Sequence, residues 1–142
     1  MRRARALLLM LALSACATSS PASSQWARIE GCWVEGWTDH WPAYIQWRRD
    51  PEHPGGYLGD WHREAAQGDE DRVSFTLRPV GDQMRLCDSA PGGAERCMTA
   101  VFGRAGWRMD GVAVFDAQDT YQEFGYAGAT MPFFSGGRRD CE

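Results

Sequence analysis

Residues 84–102 read Met-Arg-Leu-Cys-Asp-Ser-Ala-Pro-Gly-Gly-Ala-Glu-Arg-Cys-Met-Thr-Ala-Val-Phe. The Pro-Gly-Gly sequence at 91–93 is typical of a turn, and it separates two flanks with strand-like composition. Successive side chains of a strand point to opposite faces, so placing Cys87 opposite Cys97 collects apolar side chains on the other face. These are Met84, Leu86, Met98, Ala100 and Phe102. The segment therefore predicts a β-hairpin closed by a Cys87–Cys97 disulfide.

The preceding segment predicts a second hairpin in the same register. Val73–Leu77 alternates apolar and polar residues with the period of a strand. Gly81–Asp82 is a two-residue hairpin signal, and closing it places Leu77 opposite Leu86 on the same apolar face. Two independent patterns thus predict one antiparallel meander.

Short strand-like runs and turns continue on both sides of these hairpins. Gly103–Gly106 predicts a turn that puts Phe102 opposite Trp107 on the apolar face. The other expected strands are Gly31–Thr38, Ala43–Arg49, Tyr57–Arg63, Val112–Phe115, Tyr121–Tyr126 and Thr130–Phe134. Eight to ten short strands joined by tight turns indicate an all-β barrel or sandwich. We expect an antiparallel up-and-down meander that closes into a small barrel, because closure removes exposed strand edges.

The remaining cysteines predict a second disulfide. The chain has five cysteines, and without Cys16 an even number remains. In an exported chain this favours two disulfides. Pairing the hairpin cysteines leaves Cys32 to pair with Cys141, which ties the first strand to the end of the chain. No Cys-x-x-Cys spacing occurs, so the sequence argues against a zinc site, and we expect no cofactor.

The N-terminal residues predict export and a lipid anchor. Three arginines at 2, 3 and 5 precede the apolar run Ala6–Leu13, which is too short to cross a bilayer as a helix. Leu13-Ser14-Ala15-Cys16 resembles a bacterial lipobox, which implies a signal peptide at 1–15 and a lipid-modified Cys16. The alternative is cleavage after Ala17, which would release a periplasmic protein.

Sequence composition divides the rest of the chain into a tether and one domain. Residues 16–25 are small and polar, as in a flexible linker, so we expect a single barrel domain at 26–142. Ala17 after the cysteine resembles the pattern of lipoproteins sorted to the outer membrane, which implies an anchored protein facing the periplasm. Removal of the three leader arginines leaves 12 basic against 19 acidic side chains, a net charge of −7. This acidic balance argues against nucleic-acid binding.

The start of the first strand resembles a known family. Gly31-Cys32-Trp33 is similar to the Gly-x-Trp signature of lipocalin and wider calycin barrels, in which the tryptophan plugs the closed end and an arginine near the last strand packs across it. The resemblance implies a lipocalin-like barrel in which Trp33 takes the first role and Arg138 or Arg139 takes the second. The chain also resembles bacterial barrel domains that begin Gly-Cys-Trp and carry Gly-Gly-x-Leu-Gly, here Gly55–Gly59, a resemblance that implies no activity.

Loop lengths suggest where a ligand would bind. In an up-and-down meander the connections alternate between the two ends, and most of the long connections fall at one end. Ligand sites of small barrels lie at the mouth, so we expect a small apolar or amphipathic ligand there. The candidate ligand-binding residues are Trp37, His40, Trp41 and His62, although an outward-facing His62 on the surface is the simpler expectation.

The alternative is a structural or protein-interaction module of the cell envelope whose barrel is filled and binds no small ligand. In that case Trp37 and Trp41 would anchor an envelope protein partner, and the other tryptophans would be core. A solidly packed barrel would favour this alternative. No Gly-x-Ser-x-Gly frame and no phosphate-binding loop occurs, so the sequence gives little support to an enzyme and predicts no catalytic residue.

Overall fold

A computed structural model describes residues 25–35, 42–64, 70–89, 92–103, 112–126 and 133–141. Nine strands form a closed barrel, and a short 3₁₀ helix at Ala27–Ile29 precedes the first strand. The strands are β1 Gly31–Glu35, β2 Ala43–Arg49, β3 Tyr57–Glu64, β4 Glu70–Val80, β5 Gln83–Ser89, β6 Arg96–Phe102, β7 Val112–Ala117, β8 Tyr121–Tyr126 and β9 Phe134–Arg139. The described helices include none long and apolar enough to cross a membrane.

The barrel follows chain order and closes by pairing β9 with β1. Every neighbouring pair is antiparallel except β6 with β7, which is parallel. Phe102 therefore lies opposite Phe115, and its predicted pairing with Trp107 is wrong; Trp107 itself lies outside the described residues. On β7, Ala113, Val114 and Phe115 are all buried, as expected for a strand in parallel pairing, which is usually covered on both faces.

The predicted registers of the β4–β5 and β5–β6 hairpins are confirmed. Cys87 pairs with Cys97 across β5 and β6, and Leu77 faces Leu86 across β4 and β5. Both disulfides form, Cys87–Cys97 within the hairpin and Cys32–Cys141 between β1 and the end of the chain. The chain therefore folds into an all-β closed barrel with two disulfides.

Aromatic side chains fill the described part of the barrel interior. The Trp47 ring on β2 lies 5.9 Å from Phe115 on β7 and 6.1 Å from Phe124 on β8. These strands are on opposite sides of the barrel, so the rings meet across its axis. Gly59 on β3 makes room for the Trp47 ring, because a Cβ at that position would lie 2.6 Å from it.

One end of the barrel, which we call the closed end, is sealed by the 3₁₀ helix and the start of β1. Ile29 and Trp33 are fully buried there, and the Trp33 Nε1–H donates to the Ile29 carbonyl at 2.8 Å. The Arg138 guanidinium lies 4.3 Å from the centre of the Trp33 ring. Gly31 has a φ of +129°, and a Cβ there would lie 2.7 Å from Arg138 Nη1. Of the two arginines, Arg138 therefore covers the tryptophan, and Arg139 points outward.

Candidate functional site

The predicted ligand-binding residues do not form one described site. Trp37, His40 and Trp41 lie outside the described residues. His62 lies on the outer face of β3, where its ring stacks on Tyr44 at 5.1 Å. The inward positions of that strand belong to Tyr57, Gly59, Trp61 and Arg63, whose partners across β2 include the buried Ile45 and Trp47.

Charged side chains occupy the inward positions at the other end of the barrel, where β1 finishes and β2 begins. We call this the loop end. Arg63 Nη2 donates to Glu35 Oε2 at 2.8 Å, and the Arg63 guanidinium lies 5.5 Å from the centre of the Trp61 ring. The ion pair and the ring contact together fix the arginine at the rim.

A second ion pair lies on the other side of the loop end. Asp88 is buried and accepts two hydrogen bonds from Arg96, at 3.0 and 2.9 Å, and one from the Tyr126 hydroxyl at 2.9 Å. Burial, reinforced by the hydrogen bond to the Asp88 carboxylate, raises the pKa of Tyr126 well above its usual range. Tyr126 therefore remains a proton donor, and the Asp88 charge is neutralised by Arg96.

Phe133 joins the two ion pairs through ring contacts. Its ring lies 5.2 Å from Trp61 and 5.5 Å from Tyr126. Beneath this layer, Phe133 also contacts Phe75 and Phe124 of the filled core. The loop end thus has an aromatic floor with an ion pair on each side.

Two hydrogen-bond donors at the loop end have no acceptor among the described residues. Trp61 Nε1 and Arg63 Nε are both inaccessible to solvent, and neither has a hydrogen-bond partner within the described part of the chain. Since burying an N–H group without a partner is unfavourable, an acceptor oxygen supplied at this place would be stabilising. Trp61 and Arg63 are successive inward positions of β3, so one acceptor-bearing group could serve both.

A groove of about 470 Å³ lies on the outer face of the barrel, over β1 to β4 and the end of β9. We call it the outer groove. Its polar walls come from Tyr44, Gln46, Asp60, His62, Arg72 and Arg139, beside the Cys32–Cys141 disulfide. It is separate from the filled interior because these side chains occupy the outward positions of their strands.

An Asp-His pair lies at the closed end. Asp50 Oδ2 is 2.9 Å from His53 Nδ1 and accepts from Arg78 Nε at 3.1 Å, and Asp50 Oδ1 accepts from the Glu52 backbone N–H at 2.9 Å. Burial acts to raise the pKa of Asp50, but these hydrogen bonds outweigh it and the pKa falls below its usual value. These contacts of Asp50 stabilise the loop between β2 and β3.

Among the described residues, three side chains of metal-ligating types come together at one place. Cys87, Glu95 and Cys97 have ligand atoms within 4.8 Å of one another. Both cysteine sulfurs are consumed by their disulfide. The group is therefore unsuited to a zinc ion, which is bound by thiolates.

The sequence reasoning missed the Asp88–Arg96 pair, although the signal for it was present. If Cys87 and Cys97 face outward, then the adjacent Asp88 and Arg96 must face each other on the inner side of the hairpin. Tyr126 is 38 residues further along the chain, and no local pattern connects it to Asp88.

No family model, curated protein or solved structure matches this chain.

Proposed function

We propose that this chain is a lipid-anchored protein of the bacterial cell envelope whose filled barrel acts as a structural or protein-interaction module. The basic and apolar leader, the lipobox-like Leu13–Cys16 and the small polar tether support export and anchoring. Two disulfides suit an oxidising compartment such as the periplasm. The residue after Cys16 favours the outer membrane as the site of the anchor.

The observation that carries the proposal is the contact of Trp47 with Phe115 and Phe124 across the barrel axis. A barrel that holds an apolar ligand needs an open interior, and here side chains from opposite walls already touch. We therefore assign recognition to the surface of the barrel and not to its interior.

The closed end supports the resemblance to lipocalin-like barrels. Trp33 is fully buried there and Arg138 lies over its ring, the arrangement that the resemblance implies. In this proposal the chain keeps the lipocalin-like frame while aromatic side chains take the space that a ligand would need.

We assign the partner-binding surface to the loop end, where β1 finishes and the segment with Trp37 and Trp41 follows. Aromatic residues are frequent energetic anchors of protein interfaces. In-cell photo-crosslinking from position 35 should capture an envelope protein of defined mass, and replacing Trp37 and Trp41 by alanine should abolish that product. Val80→Ala is the matched control, since Val80 is 56% exposed on the closed-end hairpin. If Val80→Ala reduces the crosslinked product as much as the replacement of Trp37 and Trp41 does, the assignment of the partner-binding surface is wrong.

The anchor has its own test. Cys16→Ala should move the protein from the membrane fraction to the soluble fraction, because the acyl chains would be absent. A variant that stays with the membrane would remove lipid anchoring from the proposal.

A second candidate is a small amphipathic ligand held at the loop end above the aromatic floor. Two buried donors that find no acceptor in the described part of the chain, Trp61 Nε1 and Arg63 Nε, favour it. Organic extraction of the purified protein followed by mass spectrometry should then release a stoichiometric small molecule, and Trp61→Phe, which keeps a ring and removes the donor, should release less. A protein that yields no small molecule would leave the interaction module as the function.

A further inference from the structure

The chain enters the barrel domain at the closed end. The Trp26 ring lies 4.8 Å from Phe102 and 5.4 Å from Phe115, and Trp26 is 7% exposed. These contacts attach the start of the domain to the ends of β6 and β7, on the side of the molecule opposite to the loop end. Gln25, just before Trp26, is exposed. The segment that leads to the proposed lipid anchor therefore leaves the domain from the closed end.

The length of that segment limits how the barrel can stand on a membrane. Cys16 lies nine residues before Gln25, and a small polar linker of this length has a root-mean-square reach of about 16 Å. The barrel is roughly 20 Å tall, since the eight residues of β3 rise about 3.3 Å each along a tilted strand. The typical reach of the linker is thus less than the height of the barrel. An acylated Cys16 would bring the closed end to the bilayer and keep the loop end away from it.

The turn between β4 and β5 projects from the same end. β3 pairs with β4 only as far as Leu77, and β6 pairs with β5 only from Met84. Residues 78–83 therefore extend beyond both neighbouring strands, and we call them the hairpin tip. The described ranges contain one large apolar side chain that is exposed, Val80, and it lies on this tip with 56% of its surface accessible.

The charges at and beside the hairpin tip balance. Arg78 pairs with Asp50 at 3.1 Å, and the exposed Asp82 and Arg85 have opposite signs. A contact between the tip and a bilayer therefore needs no anionic lipid. It depends instead on the apolar Val80, because the boundary between headgroups and acyl chains is where a membrane surface takes up apolar side chains.

We propose that the closed end of the barrel docks on the phospholipid bilayer, with the hairpin tip among the headgroups and Val80 at their boundary with the acyl chains. This inference rests on the lipid anchor of the proposed function and adds a second, non-covalent contact with the membrane. It directs the loop end away from the bilayer, where an envelope partner can reach it.

Quenching by lipids that carry a nitroxide on the headgroup tests this orientation. The full lipidated chain is placed in phosphatidylcholine vesicles with a fluorescent amino acid in place of Asp82 on the hairpin tip or of Ala94 at the loop end, both of which are exposed. The probe at 82 should be quenched at least threefold more strongly than the probe at 94. In Cys16→Ala neither probe should be quenched, because the chain leaves the vesicles.

Two variants with the probe at 82 test the contact made by Val80. Val80→Ser should lower the quenching at least twofold, whereas Gln83→Ser, at the exposed register partner of Val80, should leave it unchanged. Equal effects of the two variants would overturn the docking of Val80. A chain that floats with the vesicles but is quenched equally at both probe positions, or more strongly at 94, would overturn the orientation alone. A chain with Cys16 that does not float with the vesicles would overturn the lipid anchor and this inference with it.

Discussion

Arg138 joins three segments at the closed end of the barrel, and replacing it should destabilise the fold in a measurable way. Its Nε donates to the Asp119 carbonyl at 2.7 Å, its Nη1 to the Glu30 carbonyl at 3.1 Å and its Nη2 to the Arg28 carbonyl at 3.3 Å. The same guanidinium lies over the Trp33 ring. One side chain thus holds the 3₁₀ helix, β1 and the turn between β7 and β8 together.

The size of the effect follows from these contacts. The guanidinium–ring contact at 4.3 Å should contribute about 1 kcal/mol. The three hydrogen bonds are exposed to water, so each should contribute about 0.5 kcal/mol, at the low end of the usual range. Arg138→Ala should therefore lower the free energy of unfolding by roughly 2.5 kcal/mol, which for a domain of this size lowers Tm by about 10 °C.

Arg139→Ala is the control, because Arg139 is the adjacent residue but points outward, with its guanidinium 5.1 Å from the centre of the Tyr44 ring. It should cost about 0.5 kcal/mol. Urea denaturation followed by circular dichroism measures both variants under the same conditions. Arg138→Lys keeps the positive charge but removes the planar guanidinium with its several N–H donors. Its free energy of unfolding should therefore fall nearly as much as that of Arg138→Ala. Equal effects of Arg138→Ala and Arg139→Ala would refute the assignment of Arg138 as the residue that secures the closed end.

Three other changes test separate parts of the fold. Replacing Cys32 and Cys141 by serine should cost about 5 kcal/mol in urea denaturation, against about 3 kcal/mol for the hairpin disulfide, because their sequence separations are 109 and 10; equal losses would contradict the loop-entropy argument. The folded-state pKa of Asp50 lies below its ordinary value of 3.8, so its stabilising effect is present above that value and is lost as the pH falls through the lowered pKa. The urea midpoints at pH 7 and pH 3 should therefore differ less in Asp50→Asn than in the unaltered chain. An unchanged difference would contradict the stabilising role of the Asp50 carboxylate. In urea denaturation, Gly59→Ala should lower the free energy of unfolding by about 1–3 kcal/mol through overpacking, whereas Gly103→Ala, whose new methyl group has no described atom within 4 Å, should be tolerated.

Local alternation was enough to predict the β4–β5 and β5–β6 hairpins. Strand side chains repeat with a period of two, so the single register that faces Cys87 with Cys97 also fixes Leu86 against Met98, and the structure has both pairs. The Gly81–Asp82 turn was equally decisive because a two-residue loop leaves one antiparallel register.

The parallel pairing of β6 with β7 could not be read from local signals. The glycines at 103 and 106 resemble a hairpin turn, whereas the structure pairs Phe102 with Phe115 on a parallel strand. A non-local pairing of this kind leaves no turn signature. The uninterrupted apolar run Val112–Phe115 was the available hint, since alternation is lost where both faces are covered.

The site was harder to predict than the fold. On β3, apolar and polar residues occupy both faces, so the sequence could not decide whether His62 or Trp61 faces inward. The neighbouring strand β2 determines the orientation, because its Trp47 ring occupies the space left by Gly59. Gly59 therefore faces inward, and so does Trp61 two residues further along β3. Contacts such as Tyr126 with Asp88 join distant segments and depend on barrel closure.

The central claim is that the barrel is filled and works through its surface, and the indole N–H of Trp47 tests it most directly. This group is buried next to the barrel axis, so its NMR resonance responds to any molecule that enters the interior. Titration with dodecanoate should leave that resonance unchanged at saturating concentration. A saturable shift of the Trp47 indole resonance with one dodecanoate bound per chain would contradict the account.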